Sequence, residues 1–250
     1  MVSSRWFVIP KPNPNARVRL YCLPYGGGGA SVFRDWPVGL QAEVEVCAVQ
    51  LPARENRIRE APFTRMADLV DALLRELRGH LHARFALLGH SLGAFVAFEV
   101  ARQLIATGLT PAHLFVCGQH APDVPGLYPP IYKLADGAFV SAVIARYAGI
   151  PESVLQDPEM MRLVLPRLRG DFELNDTYTY AHGAPLACPI TVYRGLDDPE
   201  TPEAGCAAWQ RHTSLELRTR TFPGGHLFIN ESRSQVLRAL AEDLLPYAAC

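Results

Sequence analysis

The sequence predicts an α/β fold, a mostly parallel central sheet flanked by helices. Three observations carry that expectation. Short apolar runs recur along the chain. Longer segments with apolar residues at helical spacing lie between them, and the runs end in Gly- or Pro-rich turns. Strands that alternate with helices need crossover connections, which set the strands parallel. A length of 250 residues is enough for one large core, so a single domain over 1–250 is expected.

Residues 1–16 read as an extended lead-in whose Trp6, Phe7, Val8 and Ile9 pack on the body. Val18 to Leu23 is the first strong strand, ended by Pro24-Tyr25 and the four glycines at 26–29. Val44 to Leu51 is the next, with Val44, Val46 and Ala48 alternating against Glu43, Glu45 and Cys47 until Pro52 stops it. Thr64 is the expected N-cap of a helix whose face is Met66, Leu69, Val70, Leu73, Leu74, Leu77 and Leu81. A strand from Phe85 then leads into a helix that runs to about Thr107 and is closed by Gly108. His113 to Cys117, Ile190 to Arg194 and Leu215 to Phe222 complete the strands. A helix near 203–212 and a last one from Ser232 to Leu245 complete the helices.

The stretch from about 121 to 185 breaks the alternation and reads as a helical lid inserted between core strands. It opens with Pro122, Pro125, Pro129 and Pro130, then gives a helix near 136–148 with Phe139, Val143, Ile144 and Tyr147 on one face. Asp157-Pro158-Glu159 reads as an N-cap followed by Pro at the first helical position. Pro166 is expected to start a further helix that ends near Tyr178 and Tyr180.

The segment with the most chemistry in it is Gly89-His90-Ser91-Leu92-Gly93. It follows an apolar strand and precedes an Ala-rich helix, the context a Gly-x-Ser-x-Gly nucleophile elbow requires. That makes the expected architecture an α/β-hydrolase fold with a helical lid. A serine hydroxyl is a weak nucleophile near neutral pH, so a base and an orienting acid are needed elsewhere. In this fold they follow the serine in the order acid, then His. His226 lies in a Gly-rich loop between a strand and the last helix, which delivers an imidazole to the top of the sheet. The acid belongs on the loop after the preceding strand, where Asp198 is taken and Asp197 is the alternative. Backbone donors for an oxyanion are expected at Leu92, after the serine, and at Gly26 in the first Gly-rich turn. His90 is expected to be structural, pointing away from the site. The four glycines are not followed by Lys-Ser or Lys-Thr, which argues against a phosphate loop.

A formal net charge of −1 and Lys only at 11 and 133 give no electrostatic case for nucleic acid or an anionic membrane. The six cysteines form no Cys-x-x-Cys pair; Cys22, Cys47, Cys117 and Cys188 read as small buried hydrophobes rather than metal ligands or a disulfide framework. Pro10, Pro12 and Pro14 interrupt an N-terminus that has no signal-like apolar core, and no run reaches membrane-spanning length. A cytoplasmic protein is expected.

Six pieces spread along the chain carry a resemblance: Arg19-Leu20-Tyr21-Cys22-Leu23-Pro24-Tyr25 with its glycines, Gln50-Leu51-Pro52-Ala53-Arg54-Glu55-Asn56-Arg57, Gly89 to Gly93, Asp171-Phe172-Glu173, Cys188-Pro189-Ile190-Thr191, and Gly224-Gly225-His226. The chain resembles the type II thioesterases that accompany nonribosomal peptide synthetases and polyketide synthases. It departs from their pattern at Gly26, usually Ala, at Ala53, usually Gly, and at Gln119, where an Arg is common.

The resemblance implies hydrolysis of acyl groups from the phosphopantetheine arm of carrier proteins, removing misprimed or stalled units. It implies a monomer that needs no metal or organic cofactor, since the phosphopantetheine belongs to the substrate. It also suggests exposed arginines, Arg54, Arg57 or Arg59, as contacts for an acidic carrier. Two other readings remain at this stage. A small-molecule carboxylesterase would use the same triad, and a non-catalytic α/β-hydrolase-fold binding protein would be expected to lack one of its members.

Overall fold

The computed structural model describes residues 4–147 and 149–249. The apolar runs form seven strands: β1 (Phe7–Val8), β2 (Val18–Leu23), β3 (Val44–Val49), β4 (Phe85–His90), β5 (His113–Cys117), β6 (Ile190–Gly195) and β7 (Leu217–Phe222). They pair in the order β1-β3-β2-β4-β5-β6-β7. The lead-in supplies β1, which pairs antiparallel with β3; every other pairing is parallel.

Crossover segments between parallel strands become helices that cover both faces of the sheet. The helices are α1 (Met66–Leu77), α2 (Leu92–Ala106), α3 (Asp136–Tyr147), α4 (Glu152–Leu155), α5 (Pro158–Asp176), α6 (Glu203–Ala207), α7 (Phe228–Glu231) and α8 (Arg233–Ala248). Along β2, Tyr21 and Leu23 join a core with α1 and α2, while Val18, Leu20 and Cys22 join the core that α8 closes. Period-two alternation therefore feeds two apolar cores rather than one core and water. The same double cover buries all of β3, where Glu45 is 2% exposed and accepts a 2.6 Å hydrogen bond from Arg19 Nε. Cys22, Cys47, Cys117, Cys188 and Cys206 are buried free thiols, and Cys250 lies outside the described residues.

The segment between β5 and β6 holds α3, α4 and α5, with an apolar cluster of its own built on Ile131, Phe139, Val143, Ile150, Leu168 and Phe172. Asp157 caps α5 as expected, accepting from the amides of Glu159 and Met160. Pro166 does not start a helix. It lies inside α5, where it costs one backbone hydrogen bond. Contacts beyond it carry the helix through: Arg167 donates to the Ile58 carbonyl, and Leu168 and Phe172 are buried. Ile144, expected on the packed face of α3, is 41% exposed, whereas Phe139 and Val143 are buried; residue 148, at the expected end of that helix, lies outside the described residues. Thr64 is not an N-cap either. The chain stays extended through Arg65 while Phe63 packs toward Trp6, and α1 begins at Met66 without a side-chain cap.

Two buried histidines give the fold a pH dependence. His90 ends β4 with no solvent exposure, and His113 starts β5 at 5%. Burial lowers His90 to about 3 and His113 to about 4. Histidine in an unfolded chain titrates near ~6.5. Below that pH the unfolded state takes up protons that the folded state refuses, so stability falls as pH falls. We expect a loss of roughly 2 kcal/mol per ring between pH 7 and pH 5, continuing until the folded-state values are reached. Urea midpoints measured across that interval check this; a midpoint that stays level from pH 7 to 5 contradicts it.

Candidate active site

Ser91 stands between the end of β4 and the start of α2 with φ +55° and ψ −121°, a strained conformation for a residue with a side chain. Its neighbours must be glycine for that turn to close. A Cβ on Gly89 would fall 2.0 Å from the Gly93 carbonyl oxygen, and one on Gly93 would fall 2.4 Å from the Leu23 carbonyl oxygen. The turn is held from below by the Ser91 amide, which donates to Cys117 O at 2.8 Å.

The loops after β6 and β7 cross just beyond the sheet. The strand ladder continues into them, with Leu196 N donating to Phe222 O at 2.8 Å and Asp197 N to Gly224 O at 3.0 Å. Close passage again requires glycine, since a Cβ on Gly195 would meet Gly225 O at 2.3 Å. The crossing brings Asp198 against His226 and His226 against Ser91. His226 Nδ1 lies 2.9 Å from Asp198 Oδ2, and His226 Nε2 lies 2.9 Å from Ser91 Oγ. A carboxylate only accepts, so Nδ1 carries the proton, and Nε2 is free to accept from the serine hydroxyl.

Asp198 is 4% exposed and is also bonded by Thr201 Oγ1 at 2.8 Å and Glu200 N at 3.0 Å. Burial pushes its carboxyl up, but the hydrogen bonds from His226, Thr201 and Glu200 outweigh it and hold the group below the usual carboxylate range. Asp197 points into solvent and takes no part. The contact from the amide two residues on is an Asx-turn signature, and it distinguishes Asp198 from Asp197.

Gly26 and Leu92 both border a small pocket of about 30 Å3 beside Ser91. The amides of Gly27, Gly28, Ala30 and Ser31 are taken, by Asp171, the Tyr25 carbonyl, Gln50 and Glu55 respectively. No acceptor among the described residues takes the amide of Gly26 or Leu92. Leu92 is the first residue of α2, where the amides have no partner within the helix. A Gly-rich loop whose other amides are filled by the protein's own side chains has little left to offer a phosphate. A Cβ on Gly26 would meet only Asp171 Cβ at an ordinary 3.6 Å, so the loop has room for the alanine common at this position.

The arginines at 54 and 57 are not docking residues. Arg54 is 8% exposed, donates to Pro52 O and pairs with Asp171; Arg57 is 6% exposed, donates to Gln50 O and pairs with Glu60. Arg59 alone of the three is exposed. The Gln50 to Arg57 segment is instead a brace for the Gly-rich loop, with Gln50, Glu55 and the Arg54–Asp171 pair each gripping it. Its tight path puts Ala53 at φ +70°, a conformation that suits the glycine usual there. Asp171→Ala would leave a buried guanidinium unpaired, and we expect it to cost about 3–5 kcal/mol. Chemical denaturation measures this, and a cost under about 1 kcal/mol contradicts the brace.

His90 does not point away from the site. Its ring lies beneath the catalytic pair, 5.4 Å from the His226 ring centroid, between Tyr25 and Phe228. Tyr147, read from sequence only as part of an apolar helix face, reaches over from α3 to sit edge-on to His226 at 4.9 Å. With Phe172 and Val143 it walls the small pocket. On its other side a cleft of about 600 Å3 opens, with Ser91, His226, Gln119, Asp176 and Glu200 on its wall. Among the described residues, no group of three or more His, Cys, Asp or Glu is placed to hold a metal ion, and no helix is long and apolar enough to cross a membrane.

The arrangement can deprotonate a serine, stabilise the resulting imidazolium and hold an oxyanion. A model of the thioesterase domain family matches residues 18–244. The chain is 39% identical to the gramicidin S biosynthesis protein GrsT of Aneurinibacillus migulanus, over 96% of this chain and 94% of that protein. It is 38% identical to the thioesterase PikA5 of Streptomyces venezuelae, over 97% and 86%. Among solved structures, BorB, the type II thioesterase from the borrelidin biosynthetic cluster, superimposes with a TM-score of 0.85 at 32% identity, covering 97% of each chain. With the family match spanning nearly every element described above, the chain belongs to the thioesterase family.

Proposed function

We propose that this thioesterase releases acyl groups held on the phosphopantetheine arm of carrier proteins in nonribosomal peptide or polyketide synthesis, through an acyl-enzyme on Ser91. The contacts of 2.9 Å from Asp198 to His226 and from His226 to Ser91 carry the reading. His226 Nε2 takes the proton of Ser91 Oγ as the oxygen attacks the thioester carbonyl. Asp198 keeps the imidazole in the required tautomer and stabilises its charged form. The amides of Gly26 and Leu92 receive the oxyanion, in a pocket where little water competes. The leaving thiol has a pKa of roughly 8.5, so it departs with less protonation than an alkoxide needs. The departing thiolate takes the proton back from His226 Nε2, which leaves the imidazole free to draw a proton from water; the water attacks the acyl-serine, and His226 returns the proton to Ser91 Oγ as the acid is freed.

The helices α3 to α5 act as the lid, setting Tyr147 over the imidazole and dividing the small pocket from the larger cleft. The proposal includes a monomer working in the cytoplasm without a cofactor of its own, on a partner that brings the phosphopantetheine with it. Relatives named for gramicidin S biosynthesis and for the borrelidin cluster support the carrier over a simple ester. Intact-mass measurement of several acyl-carrier conjugates, before and after treatment, tests it. Loss of the acyl mass from carriers, far faster than hydrolysis of matched simple esters, is expected. The reverse preference would point to a carboxylesterase.

A further inference from the structure

The loop that carries Asp198 also carries a second carboxylate, which the triad does not use. Glu200 is anchored by the triad's own turn, since its amide donates to Asp198 Oδ1. Its side chain lines the larger cleft, on the wall that also holds Ser91 and His226. Glu200 Oε1 is buried, and no donor among the described residues reaches it. An acceptor left in that condition is costly unless something supplies a donor.

The other charged groups of the cleft are already engaged. Asp123 accepts from Arg211 and His212. Asp176 accepts from the amides of Ile131 and Tyr132, which steady the start of the lid. Arg146 donates to the Pro129 carbonyl and lies over the Tyr128 ring. Burial raises the Glu200 carboxyl, against the opposing influence of His226, Arg146 and the Tyr147 hydroxyl. A cation entering the cleft would offset that and favour its charged form. The acyl group is what changes from one substrate to the next, and one common variation is an ammonium group on the α-carbon. That nitrogen lies two bonds from the carbonyl carbon that Ser91 attacks, and so enters the cleft whose wall carries Ser91, His226 and Glu200.

We propose that Glu200 is a specificity-determining residue that favours aminoacyl over plain acyl thioesters by accepting a hydrogen bond from the substrate's α-ammonium group. The assignment rests on the carrier-thioester reading above and names the substrate class within it.

The test uses alanyl and propionyl thioesters of one phosphopantetheine carrier, which differ only in the α-ammonium. The readout is the ratio of kcat/KM for alanyl to that for propionyl, in the unaltered enzyme and in Glu200→Gln. Both rates come from the same preparation, so any loss of folded protein cancels. A charge-assisted hydrogen bond predicts a roughly ten- to hundredfold fall in the ratio, with Glu200→Asp recovering part of it. An unchanged ratio overturns the assignment. Equal losses on both thioesters overturn it too, because they would mean that Glu200 acts through His226. If the unaltered enzyme hydrolyses neither thioester, the carrier-thioester reading itself fails and takes this assignment with it.

Discussion

Ser91→Ala is expected to lower thioester hydrolysis by roughly 10^4-fold or more while leaving the fold intact. The oxygen is the part of the elbow positioned to attack, and among the described residues its side-chain hydrogen bond is with His226 Nε2. Nothing nearby can take its place. The five described cysteines are buried, and burial raises each thiol, Cys47 and Cys188 to about 12 and Cys206 to about 11, so none of the five supplies a thiolate near neutral pH. The substitution removes no backbone contact, so Tm should hold within a degree or two of the parent. Steady-state rates on an acyl thioester, paired with thermal unfolding, check both halves. A variant that keeps a tenth of the parent rate contradicts the assignment of the nucleophile.

Asp198→Asn should lower turnover by about 10^4-fold, and the neighbouring Asp197→Asn by no more than about threefold. The contrast follows from where the two carboxyls lie. Asp198 is 4% exposed and meets His226 Nδ1 at 2.9 Å, whereas the side chain of Asp197 is in solvent. An amide at 198 can present its NH2 to Nδ1, which moves the ring proton to Nε2 and removes the acceptor that Ser91 needs. Parallel kinetics on the two variants separate this from a general effect of losing charge on the loop. Similar losses in both would assign the orienting role wrongly.

The parts of this molecule that were readable in the sequence are those decided locally. Val18–Leu23 and His113–Cys117 form strands with the expected bounds because apolar runs flanked by turn residues determine them. The elbow was readable for the same reason: two glycines four positions apart, between a strand and a helix, leave one way to turn. His226 and Asp198 could be placed because topology fixes which loops meet at the top of a parallel sheet. What was missed depends on contacts distant in sequence. Pro166 looks like a helix start until Arg167 is seen bonded to the Ile58 carbonyl and Leu168 and Phe172 buried against α3. Arg54 and Arg57 look like a solvated face until Asp171, 117 positions beyond Arg54, is found beside it. Tyr147 looks like core packing until α3 is seen to set it against an imidazole 79 positions further along the chain. Residues whose partners lie on another element carry no local periodicity, so no window along the chain reveals them.

The most direct measurement mixes the enzyme with an acyl-carrier thioester, quenches within milliseconds, and records the intact mass and peptide map of the enzyme. The account predicts a transient mass gain equal to the acyl group, confined to the peptide that holds Ser91 and absent from Ser91→Ala. An acyl group found on any other residue, or full-rate release of the acid by Ser91→Ala, would contradict it.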